Sequence, residues 1–297
     1  MRVAISGASG FLGTALTREL QAARHEPVAL VRRPPRGGEV QWDPALPLDP
    51  ARLAGCDGVV HLAGKNIAGR WTEKFKREVR DSRVHGTRTL ATAAAESYRQ
   101  TGQPRVLVSA SGVGSYGDRG DELLTEESSP GTGFLAEVCQ QWEAATAPAS
   151  EAGVRVVCLR IGVVLARNGG ALKPMLLPFL LGLGGRVGSG KQFWSWVALE
   201  DVIGAMVFVL QNADVRGPVN VVAPNAVHNE EFVRALGKAL HRPAIFPLPE
   251  FAVRAALGKM GQELLLTSAR ALPAKLQAAG YNFRHQQLEE ALRAALG

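Results

Sequence analysis

The chain has 297 residues, 46 % of them hydrophobic, enough for one large α/β domain with an appended lobe and a sizeable core. Its 34 lysines and arginines against 27 aspartates and glutamates give a net charge of +7, but the basic residues are scattered and form no run interleaved with aromatics, which argues against a nucleic-acid partner. Three separated cysteines and six separated histidines offer neither a disulfide framework nor a metal site, and no apolar run suits a signal peptide or a membrane span, so a cytoplasmic protein is expected.

Residues 3–6 read as a buried strand and 12–23 as the helix that follows. Strands are predicted over 28–31 and 58–62, then a long helix over 73–95 with Phe75, Val79, Leu90 and Ala94 at helical spacing. A strand over 105–109, a helix over 134–152 and a strand over 154–159 continue the alternation. Short apolar strands alternating with helices predict βαβ units and a Rossmann-like, doubly wound parallel sheet, assigned to residues 1–162. Glycine, proline and tryptophan then become frequent, and residues 163–297 are expected to form a smaller C-terminal substrate lobe, partly interleaved with the core. Within it, helices are predicted over 200–211 and 229–240, the latter capped by Asn229, with a strand over 218–222 and a mostly helical segment over 248–297.

The first strand runs directly into Gly7-Ala8-Ser9-Gly10-Phe11-Leu12-Gly13, which opens the first helix. In that position the three glycines have separate uses: Gly7 for a tight turn, Gly10 for close approach of a pyrophosphate, Gly13 for helix–sheet packing. The free N–H groups and dipole of the helix start then face the phosphates. A nicotinamide dinucleotide is the expected ligand. The second strand ends at Arg32-Arg33, where an NAD enzyme usually carries a carboxylate for the ribose hydroxyls. Arginine there would hold a 2′-phosphate, so NADP(H) is expected, with Arg36 in the following loop a weaker candidate.

These residues resemble the extended short-chain dehydrogenase/reductase superfamily, and most closely its atypical, epimerase-like branch, whose members end in a helical domain of unknown function. The resemblance covers essentially the whole chain. It rests on the glycine loop, His61-Leu-Ala-Gly64-Lys-Asn-Ile67, Phe134-Leu-Ala-Glu-Val-Cys-Gln-Gln-Trp-Glu143, Leu176-Leu-Pro-Phe179, Pro273-Ala-Lys-Leu276 and Ala279-Gly-Tyr281. It implies that Leu62, Ala63 and Gly64 lie beside the adenosine half of the cofactor, that Glu78 and Arg83 stand near it, and that Val163 lies near the nicotinamide.

The resemblance fails at catalysis. The superfamily uses a Tyr-x-x-x-Lys pair for proton transfer, and aligning the helix on Glu143 puts Leu135 and Cys139 at those positions. Neighbouring Ser109-Ala-Ser111-Gly-Val-Gly-Ser115-Tyr116-Gly117 resembles the serine-bearing strand end. Ser111 is the first candidate for a substrate-polarising hydroxyl, Ser109 the second, set also beside the cofactor, and Tyr116 a substitute acid. Further on, Trp194 and Trp196 could line a substrate pocket, and Lys191 in its Gly-Ser-Gly-Lys turn could meet an anionic substrate. Asp201 is expected near a helix N-terminus. Two functions follow: an NADP(H)-dependent, epimerase-like oxidoreductase acting on a small polar or nucleotide-linked substrate, or a non-catalytic NADP(H)-binding sensor or scaffold.

Overall fold

Strands that are apolar on both faces must be covered twice, and this chain covers them by laying a helix on the sheet after most strands. The computed structural model describes residues 1–297. The order is β1 (Arg2–Ser6), α1 (Phe11–Ala22), β2 (Glu26–Val31), β3 (Val40–Gln41), β4 (Gly58–His61), α2 (Glu73–Thr101) and β5 (Val106–Gly112). Then come β6 (Leu123–Leu124), α3 (Phe134–Ala144), α4 (Ala147–Glu151), β7 (Arg155–Ile161), β8 (Val163–Ala166), β9 (Gly169–Gly170) and α5 (Leu172–Leu180). The rest comprises β10 (Phe193–Trp194), β11 (Trp196–Ala198), α6 (Leu199–Gln211), β12 (Gly217–Val221), β13 (Val227–His228), α7 (Asn229–Ala239), α8 (Glu250–Gly261), β14 (Arg270–Ala271), α9 (Ala274–Ala278) and α10 (Leu288–Leu296).

Seven parallel strands form the central sheet in the order β12-β7-β5-β4-β1-β2-β3. The chain enters at β1, steps outward to β3, then crosses back to β4. The crevice at the carboxyl ends of β1 and β4 is therefore the switch point where such sheets bind ligands. One face is packed by α1 and α6, with Ile5, Leu16, Val108, Met206 and Val219 in one cluster. The other is packed by α2 and the α3–α4 region, with Ala4, Val59, Leu90, Leu107 and Ala149 in a second. The boundary at residue 162 is thus crossed twice, because α6 and β12 return from the second half of the chain to the main sheet.

Two local expectations are corrected. The helix over 134–152 is broken after Ala144, where the Thr146 hydroxyl donates back to the Glu143 carbonyl at 2.6 Å and Pro148 opens α4. Asn229 does not cap α7. His228 takes the N-cap position, and the Asn229 side chain turns inward to accept from Val187 N at 2.8 Å. The C-terminal segment is mostly helical, as expected, with β14 pairing β6 and a loop over 279–287 between its helices. Asp201 lies in the first turn of α6 but is fully buried, accepting from Arg284 N and His285 N and so fastening the C-terminal chain to the core. No helix is long and apolar enough to cross a membrane.

Candidate functional site

The glycine loop has the backbone its sequence calls for. Gly7 sits at φ +74°, and a Cβ there would lie 2.9 Å from both Ala63 N and the Leu62 carbonyl carbon. A Cβ at Gly13 would come within 2.1 Å of the Gly7 carbonyl oxygen. The loop and the residues after β4 therefore approach as bare backbone. Gly10 is the N-cap of α1. It has no side-chain oxygen to cap with, and the first turn holds no acidic residue. The N–H groups of Phe11, Leu12 and Gly13 are left for an external acceptor, with Ser9 exposed beside them. The Phe11 ring lies against Gly169, where a Cβ would meet it at 2.3 Å, so the loop also touches the second lobe.

Arg32 and Arg33 differ in availability. Arg33 is forked onto Glu39 at 2.7 and 2.6 Å, and Glu39 also accepts from Arg36 N, contacts that hold its carboxyl down at about 2. Arg32 is exposed and forms no ion pair, leaving its guanidinium for a ligand. Behind Leu62, Ala63 and Gly64, Arg83 donates to Lys65 O at 2.9 Å and to Val79 O at 3.1 Å, with its guanidinium 5.0 Å from the Trp142 ring. Glu78 pairs with Lys65 at 2.6 Å. Both side chains thus hold the loop after β4 in place. Beneath it, the fully buried His61 bonds Ser6 Oγ through Nδ1 at 2.6 Å. Burial, with the Arg83 charge nearby, pushes its imidazole down to about 3, so it is neutral.

At the end of β5 the charged groups are paired within the protein, while Ser115 Oγ is buried without a partner. Ser111 donates to Glu143 Oε1 at 2.7 Å. Arg160 holds the same carboxylate with both prongs, Nε at 2.9 Å and Nη2 at 2.8 Å, and its Nη1 donates to the Tyr116 hydroxyl at 3.0 Å. That hydroxyl lies 2.8 Å from Asn220 Oδ1 and 2.9 Å from Thr125 O. A charged spine thus crosses β5, β7 and β12 under α3. The C-terminal segment reaches the same region from above: Glu263 accepts from Phe134 N at 3.2 Å and Leu135 N at 2.8 Å, capping α3.

Comparison with known proteins agrees with this geometry. Residues 3–222 match the NAD dependent epimerase/dehydratase family, and residues 248–295 match a domain of unknown function, DUF1731. The chain belongs to the NAD dependent epimerase/dehydratase family. It is 45 % identical over 293 residues to the epimerase family protein Mb2239 of Mycobacterium bovis, covering 98 % of this chain and 96 % of the relative. It is 40 % identical over 301 residues to human epimerase family protein SDR39U1, covering 99 % of each. A crystal structure of human SDR39U1 isoform 2 with NADPH superposes with a TM-score of 0.91 at 38 % identity, covering 99 % of each chain.

The two positions that the resemblance assigns to proton transfer hold Leu135 and Cys139. Leu135 has no titratable group. Cys139 is buried, and burial pushes its thiol up to about 11, with the Glu143 charge adding to the rise. At neutral pH it is an uncharged thiol and cannot take the part of a lysine cation.

Several expected site residues are corrected by burial. Tyr116 is fully buried and its hydroxyl is enclosed by three partners, so it is not a substitute acid. Ser109 is buried within β5, its hydroxyl turned to the Ala110 carbonyl. Ser111 keeps 6 % exposure, and its hydroxyl donates to Glu143 Oε1 at 2.7 Å. Trp194 packs on Phe232 with ring centres 5.1 Å apart, and Trp196 is fully buried with Nε1 donating to Asn225 O. Both are core of the second lobe, not pocket lining. Lys191 is exposed, and Val163 is half buried, its N–H bonded to Ser195 O. Glu143, Arg160 and Glu263 were not among the expected residues. A cleft of about 630 Å³ lined by Thr146, Arg155 and Arg216 opens at the amino ends of β7 and β12, the wrong end of the sheet for the cofactor.

Proposed function

We propose that this protein is an NADP(H)-dependent, epimerase-like oxidoreductase acting on a small polar substrate. The observation that carries the reading is the start of α1. Its N–H groups are uncapped, its loop is bare backbone against Leu62 and Ala63, and the unpaired Arg32 stands at the end of β2. These groups fit a dinucleotide pyrophosphate and a 2′-phosphate, and NADPH is what the human relative's crystal structure contains. The bound nicotinamide would supply hydride transfer. The chain's own part is to bind and orient. Leu135, the neutral Cys139 and the committed Ser111 leave the proton to come from water, which predicts slow turnover.

The test is a titration with NADPH and with NADH, followed by nicotinamide fluorescence, on the native protein and on Arg32→Ala. NADPH affinity is expected to fall about tenfold in the variant while NADH affinity holds. Equal binding of both cofactors by the native protein would remove the arginine argument. Tight NADPH binding with no oxidation by any of a panel of small carbonyl compounds would favour a cofactor-gated binding protein, a reading to which the sealed Ser111–Glu143–Arg160 network also lends weight.

A further inference from the structure

Exposed apolar side chains on this protein are concentrated in one place. Nine of the eleven large hydrophobic residues that stand exposed belong to two segments, 177–183 and 245–257. The segments are tied together: Phe246 N donates to Gly184 O at 3.0 Å, Leu248 N to Arg186 O at 2.8 Å, and Arg242 Nε to Leu180 O at 3.0 Å. The two helices that carry them are hardly used by the fold. α5 buries only Leu172 and Phe179, and α8 only Val253 and Gly261. Apart from Lys173, α5 carries only apolar side chains, a composition that belongs in a protein core or at a lipid surface.

The patch stands out from the surface. Leu177, Leu181, Ile245 and Phe251 are 65–76 % exposed, as protruding side chains are. The segments that carry it are also rich in cations, with Glu230 bordering them beside Arg186 and Ile245. Residues 172–190 and 238–261 contain six lysines and arginines and one carboxylate, Glu250, which is already bonded to Arg254. These stretches therefore hold five of the chain's seven net positive charges.

An apolar patch of this size on a protein surface marks an interaction site. A second copy fits poorly, because a two-fold contact would press the net positive charge of these segments against itself. Protruding apolar tips on segments of net positive charge match an anionic bilayer surface, where apolar groups enter the headgroup boundary and lysines and arginines meet the phosphates. We propose that this face docks on an anionic membrane surface, with Leu181, Ile245 and Phe251 entering the interface and Lys173, Arg242 and Lys259 facing the headgroups. Such a contact needs no spanning helix, and it does not depend on the cofactor reading.

The test is flotation of the full-length protein with phosphatidylcholine vesicles, with or without phosphatidylglycerol. At least about tenfold more protein is expected on the anionic vesicles, and less as salt is raised. The double variant Leu181→Glu, Phe251→Glu is expected to lose the binding. Both side chains are exposed, so its circular dichroism and NADPH titration should match the native protein. No flotation with anionic vesicles, or equal flotation of the double variant, overturns the proposal. So does a native dimer that the double variant splits, which would make a second copy the occupant.

Discussion

Two helices that begin at the carboxyl ends of the strands, α1 and α3, are finished in opposite ways. α1 starts at Gly10 with no side-chain cap and no acid in its first turn. α3 starts at Gly133 and is capped by a carboxylate from far along the chain, Glu263, on the N–H groups of Phe134 and Leu135. One helix start is left for a ligand anion to complete, and the other is completed by the protein. The same contrast holds one layer down. Under the cofactor loop lies a neutral pair, His61 with Ser6. Under α3 lies an ionic one, Glu143 with Arg160, which also takes up Ser111 and Tyr116. At the cofactor end the N–H groups of the α1 start and the side chain of Arg32 point outward, whereas at the chemistry end, the end of β5, the charged groups point at each other.

The largest way to break this contrast is Arg160→Met. It would leave Glu143 buried without its partner and Tyr116 without its donor, a change that costs about 3–5 kcal/mol. Chemical denaturation should show the loss, while NADPH binding by the folded fraction should be unchanged because no cofactor-facing group is touched. Unaltered stability would mean that the spine does not close the chemistry end.

A smaller effect separates the two buried pairs by pH. The His61 imidazole is held at about 3 in the fold, below its ordinary value of about 6.5. The unfolded chain therefore binds the extra proton first, and this contribution is full above about pH 6.5 and is lost as pH falls toward 3. By pH 5 about 2 kcal/mol should have gone. In His61→Asn, which removes the titrating ring, the decline between pH 7 and 5 should be shallower by about that amount. Parallel pH profiles for variant and native protein would show that another group governs acid stability.

The cofactor end was the more legible in the sequence for a physical reason. Three glycines at fixed offsets after a strand can be explained only by close backbone approaches, and Gly7 and Gly13 have those approaches. The alternation of elements likewise follows from a period that sequence displays. The chemistry end depends on which buried groups meet across the sheet, and spacing does not record that. A signal was present even so: Arg160 sits in an apolar strand, and Glu143 follows Trp142 on the buried side of α3. A charge on a face that must be buried requires a partner of opposite sign. The indoles of Trp194 and Trp196 could not be assigned to pocket or core because spacing alone does not show that both faces of this stretch are buried, as they are. The interruption after Ala144 was hidden because apolar residues continue through it, and only the Thr146 back-bond and Pro148 end the helix.

The smallest change tests the difference between the helix starts directly. Glu263→Ala removes the cap from α3 and leaves two N–H groups facing the C-terminal segment. Loss of a cap costs about 1 kcal/mol, which in a chain of this size is a fall in melting temperature of about 2–4 °C. The uncapped α3 start should then behave as α1 does and gain stability from added sulfate beyond what the native protein gains, since an anion can take the place of the carboxylate. Equal responses to sulfate in both proteins would show that the α3 start is closed by packing of the C-terminal segment, with Glu263 incidental, and the contrast between the two helix starts would rest on shape and not on charge.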